Sequence, residues 1–295
     1  MPISLKLGAR NLNRFRKFEF IAHKVVEGMA TGQHKSPFKG FALEFAEHRP
    51  YVPGDDLKHL DWKLLAKLNR YYVRQYEEDT SLSAYLLLDT SGSMSYRTAK
   101  YSKLDFGRFI CGVLACVLNQ QQDAVGLSTF DRDIRHRLPP ASTRSQLLSI
   151  LKTLEQLTPG AETALADVLH ALAAQIKRRA LIVIVSDFFD DCDSVINALT
   201  HFARRRHEIV VFQVLDPTEV NFPFTEQTRF QSLENNSAIM ADPIRIRQAY
   251  QAEFLQHQTQ LRSACHRLKI DFNRFTTDMT FETRMAQYLH ERLKK

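Results

Sequence analysis

The chain has 295 residues, a net charge of +7 at pH 7, 44% hydrophobic and 25% charged residues, values ordinary for a globular protein and enough for one large domain or a domain with an appendage. No apolar run approaches the roughly 18 residues that span a bilayer, and the basic N-terminus (Lys6, Arg10, Arg14, Arg16, Lys17) carries no apolar stretch or cleavage site, so neither a membrane span nor a secretory leader is expected. The four cysteines, Cys111, Cys116, Cys192 and Cys265, form no C-x-x-C pair, which argues against zinc and for a reducing, cytoplasmic setting.

In chain order, Leu12–Met29 reads as a helix with Phe15, Ile21, Val25 and Met29 inward, followed by a stretch to Asp56 rich in Gly, Pro and charge. Residues 1–80 are expected to form an irregular appendage packed on a main domain of residues 81–295, with room for short strands. From Leu82 onward strands and helices alternate. Leu82–Leu88 is an apolar strand, and Leu104 to Leu118 recur at helical spacing. Ala124–Phe130 and Ile134–Leu138 are strands around the turn Asp131-Arg132-Asp133. Gln146–Leu157 and Leu165–Ile176 are amphipathic helices split by Thr158-Pro159-Gly160. Leu181–Val185 is a strand, Val195–Phe202 a helix, and Ile209–Leu215 a strand.

After Leu215 the alternation lapses into a loop marked by Asp216, Pro217 and Pro223. Thr228–Leu233 and Ser237–Met240 flank a hairpin turn, an insertion near 217–242. A long helix from Pro243 to Leu268, a strand at Ile270–Phe275 and a helix at Phe281–Leu293 form a C-terminal extension. Alternation of this kind predicts an α/β, doubly wound, mostly parallel sheet, and the short pair at Ala124–Leu138 predicts one antiparallel edge strand.

The run Leu86-Leu87-Leu88-Asp89-Thr90-Ser91-Gly92-Ser93 ends an apolar strand in Asp-x-Ser-x-Ser. In open α/β sheets ligands gather at the carboxyl ends of strands, and two further groups fall at such places. Thr163 opens a helix after Pro159-Gly160, and Asp187 closes Leu181–Val185. If the two apolar strands are neighbours, Asp89 and Asp187 converge. Two carboxylates with the hydroxyls of Ser91, Ser93 and Thr163 are hard oxygen ligands suited to Mg²⁺, with Mn²⁺ or Ca²⁺ as substitutes. Taken singly, each of these residues reads as a helix cap; together they read as a metal site.

Other chemistry finds less support. Gly28 to Ser36 lacks the contiguous Gly-Lys-Ser of a phosphate-binding loop, and there is no Gly-x-Ser-x-Gly elbow or His-Glu-x-x-His helix. A metal-dependent phosphohydrolase with Asp89 as nucleophile is the enzymatic alternative. Against it, Ser91 stands where a second acid would, and no lysine lies near Asp187 in sequence. Asp190 and Asp191 are expected to cap the next helix. Basic clusters at Lys177-Arg178-Arg179 and Arg204-Arg205-Arg206-His207 leave a nucleic-acid-binding protein as a further alternative. Their place at helix ends favours dipole complementation over a nucleic-acid patch.

The set Asp89-Thr90-Ser91-Gly92-Ser93-Met94, Gly160-x-x-Thr163 and Ser186-Asp187 resembles the metal-ion-dependent adhesion site of von Willebrand factor A domains. Ser36-Pro37-Phe38-Lys39-Gly40, the run Glu44 to Asp56 with Pro53-Gly54-Asp55-Asp56, Asp61-Trp62-Lys63 and Tyr72 to Glu78 resemble the family called domain of unknown function 58. Lys67 departs from its usual Ala-Arg, which removes bidentate geometry there. The resemblance implies a von Willebrand A-like (Rossmann-like) fold and a non-enzymatic, Mg²⁺-dependent protein-binding module. It also implies a partnership with a MoxR-type AAA+ ATPase and with client proteins, through a partner's acidic residue at the metal. Asp89, Ser91, Ser93, Thr163 and Asp187 would be the metal site. The N-terminal signature residues read as architectural.

Overall fold

The computed structural model describes residues 42–52, 62, 64–65, 71–79, 83–160, 162–234 and 237–293, without side-chain detail for 42–49, 74–79 and 293. The expected helix at Leu12–Met29, the Pro53-Gly54-Asp55-Asp56 turn and Lys67 lie outside the described residues. The described part falls into two units. One contains an antiparallel hairpin of β1 (Ala42–Pro50) and β2 (Tyr72–Asp79) with a bulge between Phe45 and Glu47. At the end where the connection between the strands begins, the Tyr51 amide donates to the Tyr71 carbonyl at 3.0 Å.

The other unit, from Ser83 on, carries a six-stranded sheet. Its strands are β3 (Ser83–Asp89), β4 (Ala124–Phe130), β5 (Ile134–Ala141), β6 (Leu181–Ser186), β7 (Glu208–Leu215) and β10 (Asp271–Thr276), in the spatial order β10-β7-β6-β3-β4-β5. All pairs are parallel except β4 with β5. Counted within the unit, this is the 3-2-1-4-5-6 order of a doubly wound sheet with its third strand reversed, and the order turns back between β3 and β6. The fold is therefore the expected von Willebrand A-like α/β architecture with one antiparallel edge strand.

Helices cover both faces, so the central strands read as continuous apolar runs rather than alternating ones. Leu86, Leu87 and Leu88 of β3 and every residue of β6 from Leu181 to Val185 are fully buried. Leu87, Ile182 and Ile184 pack with α3 (Leu165–Gln175), α4 (Cys192–Arg204) and Leu261 and Cys265 of α6 (Pro243–Arg267). On the opposite face, Gly107 of α1 (Lys103–Gln120) lies against Leu88 and Val185 so closely that a Cβ would overlap the Leu88 side chain. Phe106 and Phe281 meet edge to face at 5.7 Å, joining α1 to α7 (Phe281–Leu293). A buried leucine in such a core is worth about 2–5 kcal/mol against alanine.

Two expected boundaries moved for physical reasons. β5 continues through Pro139 and Pro140 to Ala141 instead of ending at Leu138. As the edge strand it needs no ladder donor on its outer side, and prolines there block further pairing. The loop expected after Leu215 contains a short helix, α5 (Pro217–Asn221). Its signals were present: Asp216 caps it in a capping box with Glu219, and Pro217 occupies the first turn. The remaining helix, α2 (Arg144–Gln156), is capped by Thr143, whose hydroxyl accepts from the Gln146 amide. The expected hairpin is β8 (Thr228–Gln231) with β9 (Ala238–Ala241), paired antiparallel; Asn235 and Asn236 of its turn lie outside the described residues.

Candidate metal centre

Strands β3 and β6 pair in register Leu88 to Val185, so Asp89, the last residue of β3, and Asp187, the first after β6, lie at the same end of neighbouring strands at the point where the strand order turns. The Asp187 turn is held by a left-handed Phe188, φ 61°, whose ring is buried and whose amide donates to the Ser186 hydroxyl at 3.0 Å. A bulky residue pays strain for that conformation, and such strain gathers at functional turns. The loop of Thr163 is brought in by Gly160, whose amide donates to the Thr90 carbonyl at 2.5 Å. A Cβ at Gly160 would collide with the Asp131 and Arg135 side chains, which form an ion pair.

Asp89 is 1% exposed. One oxygen accepts from the Ser91 amide at 2.8 Å and the other from the Ser186 hydroxyl at 2.6 Å. Burial, and then the neighbouring charge of Asp187, push its carboxyl up to about 7, only partly opposed by those donors. The Ser91 and Ser93 hydroxyls lie 3.1 Å apart. Neither Ser91 nor Thr163 acts as a cap. Ser91 precedes the 3-10 turn Gly92–Ser95 without a side-chain cap bond, and the cap position of α3 belongs to Ala164, also without one. The Thr163 Oγ1 is buried and has no hydrogen-bond partner.

Asp187 is met by a residue that sequence reasoning missed. Lys103, fully buried at the start of α1, donates from Nζ to Asp187 Oδ2 at 2.7 Å and to Glu219 Oε1 at 2.6 Å. Burial works against its charge, but the two carboxylates more than offset this and hold the ammonium above its ordinary range. Burial also raises the Glu219 carboxyl, against the pull of Lys103. No lysine lies near Asp187 in sequence; this one arrives from 84 residues away. One signal was available. A lysine in the first turn of an apolar helix opposes the helix dipole and calls for an acidic partner. The other Asp187 oxygen accepts from the Phe189 amide at 3.2 Å.

Glu234 of the β8–β9 turn also reaches the site. Burial and then the charge of Asp187 hold its carboxyl above the ordinary value, against the Thr163 amide and Ser93, which pull it down. An acid in a hairpin turn gives no sequence signal for such a role.

Asp191 caps α4 through the Ser194 amide at 2.9 Å, whereas Asp190 caps no helix start of its own and faces the Ala166 amide of α3 at 3.4 Å. Arg205 donates to the Ile176 carbonyl at 3.2 Å, at the C-terminal end of α3. That is the helix-end role expected of the basic clusters.

The residues fit a divalent cation in their chemistry. All donors are hard oxygens, Asp89 is a buried carboxylate with no cation against it, and Thr163 Oγ1 is an acceptor left without a donor. Among the described residues no group of three or more His, Cys, Asp or Glu forms a metal cluster, so such a site would depend on its hydroxyls.

The family model for "Protein of unknown function DUF58" matches residues 47–260. The chain belongs to this family. Two relatives of this chain are uncharacterized proteins of Mycobacterium tuberculosis and Mycobacterium bovis, each 28% identical over 223 residues, covering 75% of this chain and 70% of theirs. Among solved structures, an aerotolerance-related membrane protein from Bacteroides fragilis aligns with TM-score 0.50 and 16% identity, over 73% of this chain and 100% of that one. The conserved hypothetical protein BatB from Bacteroides thetaiotaomicron aligns with TM-score 0.49 and 16% identity over the same shares. The SpRpn10 VWA domain aligns with TM-score 0.41 and 12% identity, over 70% of this chain and 95% of that one. At such identities the likeness is one of fold alone. No described helix of this chain is long and apolar enough to cross a membrane.

Proposed function

We propose that this DUF58 protein is a non-enzymatic, Mg²⁺-dependent protein-binding module. The observation that carries the reading is the buried, uncompensated Asp89 beside the orphan Thr163 hydroxyl at the switch point of the sheet. Asp89, Ser91, Ser93 and Thr163 would hold the cation. Asp187, whose carboxylate is already paired with the Lys103 ammonium, would act through a bridging water. Mn²⁺ or Ca²⁺ would take the same oxygens. The bound ion would supply an open coordination position for a carboxylate of another protein.

By family resemblance, that protein is a MoxR-type AAA+ ATPase or its client in assembly, maturation or remodelling, met in the cytoplasm. The phosphohydrolase alternative loses ground because the Lys103 ammonium is saturated by Asp187 and Glu219. A lysine so held presents no free charge to a phosphoryl group. The test is capture of a purified MoxR-type ATPase on immobilised protein, with Mg²⁺ or with EDTA. Capture is expected in Mg²⁺ and is lost in EDTA and in Asp89→Ala, with the circular dichroism of the variant unchanged. Capture indifferent to both changes overturns the reading.

A further inference from the structure

We propose that Glu234 is a resident carboxylate of this site. It stands where an outside carboxylate would approach the cation, so that the chain carries its own competitor for partners. The inference rests on the metal-dependent reading above and goes beyond it by naming a residue of this chain at the partner's position.

Three observations place Glu234 there. Its Cα lies 3.4 Å from where a Cβ at Gly92 would stand, and its carboxyl is drawn down by the Thr163 amide and by Ser93, residues of two different loops that both belong to the proposed ligand set. The preceding residue closes down on the same loop: the Leu233 carbonyl lies so near Gly92 that any Cβ at Gly92 would overlap it. The hairpin that delivers the acid is also well anchored. Below the tip, the Ser232 amide donates to the Ser237 carbonyl at 2.8 Å. At its base Phe230 stacks on Phe222 at 5.8 Å, and Phe222 on Tyr250 of α6 at 4.5 Å.

The charge balance explains why such an arrangement needs a cation. Asp89, Asp187, Glu219 and Glu234 converge on this end of the sheet, and Lys103 answers only Asp187 and Glu219. Glu234 is partly buried and feels the charge of Asp187. A tethered carboxylate competes at an effective concentration in the millimolar range or above. A free acidic side chain therefore binds weakly until the hairpin gives way.

The test uses the full chain, its Glu234→Ala and Glu234→Gln variants, and Asp89→Ala combined with Glu234→Ala. Calorimetry first titrates MgCl2 alone, and then N-acetylglutamate N-methylamide at saturating Mg²⁺. Removal of the resident acid is expected to tighten binding of the glutamate probe at least tenfold in Glu234→Ala. The gain has the same direction in the near-isosteric Glu234→Gln, and it disappears in EDTA and in the double variant. Equal probe affinity in wild type and both single variants, with Mg²⁺ still bound by all three, overturns the proposal while leaving the metal site standing. Failure of both wild type and Glu234→Ala to bind Mg²⁺ in the first titration overturns the metal reading, and this proposal with it.

Discussion

Two aspartates of this molecule sit in equivalent places and have opposite fates. Asp89 ends β3 and Asp216 follows β7; both are at most 1% exposed. Asp216 accepts from the amides and hydroxyls of Thr98 and Thr218 and from the Thr277 hydroxyl. Burial works against its charge, yet these donors overcome it and hold the carboxyl below its ordinary value. Asp89 has Ser91 and Ser186 as donors and Asp187 as a like charge, and it is pushed up to about 7. Burial alone therefore does not mark a functional carboxylate. The donor count does: Asp216 is a finished structural acid, whereas Asp89 is held short of satisfaction, which is the state a site awaiting a cation requires.

The largest effect is expected at the finished acid. Asp216→Ala leaves several buried donors unpaired and should destabilise the protein by about 3–5 kcal/mol in urea unfolding, with or without Mg²⁺. At Asp89 the sign reverses. Its folded pKa of about 7 lies above the ordinary value of 3.8, so the metal-free folded state binds more protons between these values. The stability this contributes is complete below about pH 4 and is lost as pH rises through about 7. Asp89→Asn should therefore stabilise the EDTA-treated protein at pH 8, read as a rise in urea midpoint over wild type. The same variant should lose the Mg²⁺-induced rise in Tm. A wild-type stability that climbs from pH 5 to pH 8 in EDTA would break the comparison.

Smaller effects sharpen it. Thr218→Val removes a hydroxyl bonded to Asp216 at 2.8 Å and should cost about 1.5 kcal/mol, read as a shift in urea midpoint. Thr163→Val removes a hydroxyl with no partner. In EDTA it should change stability by less than about 0.5 kcal/mol, while weakening Mg²⁺ binding in calorimetry. If the two threonine variants behave alike in EDTA, the distinction between finished and unfinished sites fails.

Much of this was legible in the sequence. The apolar runs Tyr85–Leu88 and Leu181–Val185 announce strands buried on both faces, and Asp89 and Asp187 mark their ends. Ala124–Phe130 and Phe281–Leu293 were bounded correctly because a turn or a change of period delimits each. Pro139-Pro140 misled, since proline ends an inner strand but not an edge. Asp216-Pro217 misled in the other direction, because a capping box can open a helix of a single turn.

Local chemistry in the sequence thus determined which segments bury and that Asp89 and Asp187 fall at the carboxyl ends of two apolar strands. Only the tertiary structure decided what meets them there. Lys103 and Glu219 answer Asp187, Ser186 answers Asp89, Glu234 comes in over Ser93 and Thr163, and no donor reaches Thr163 Oγ1. The physical reason is one of range. Periodicity and capping act over a few residues, whereas the charge and hydrogen-bond balance of a buried carboxylate is set by groups up to about a hundred residues away, brought close only when the sheet has formed.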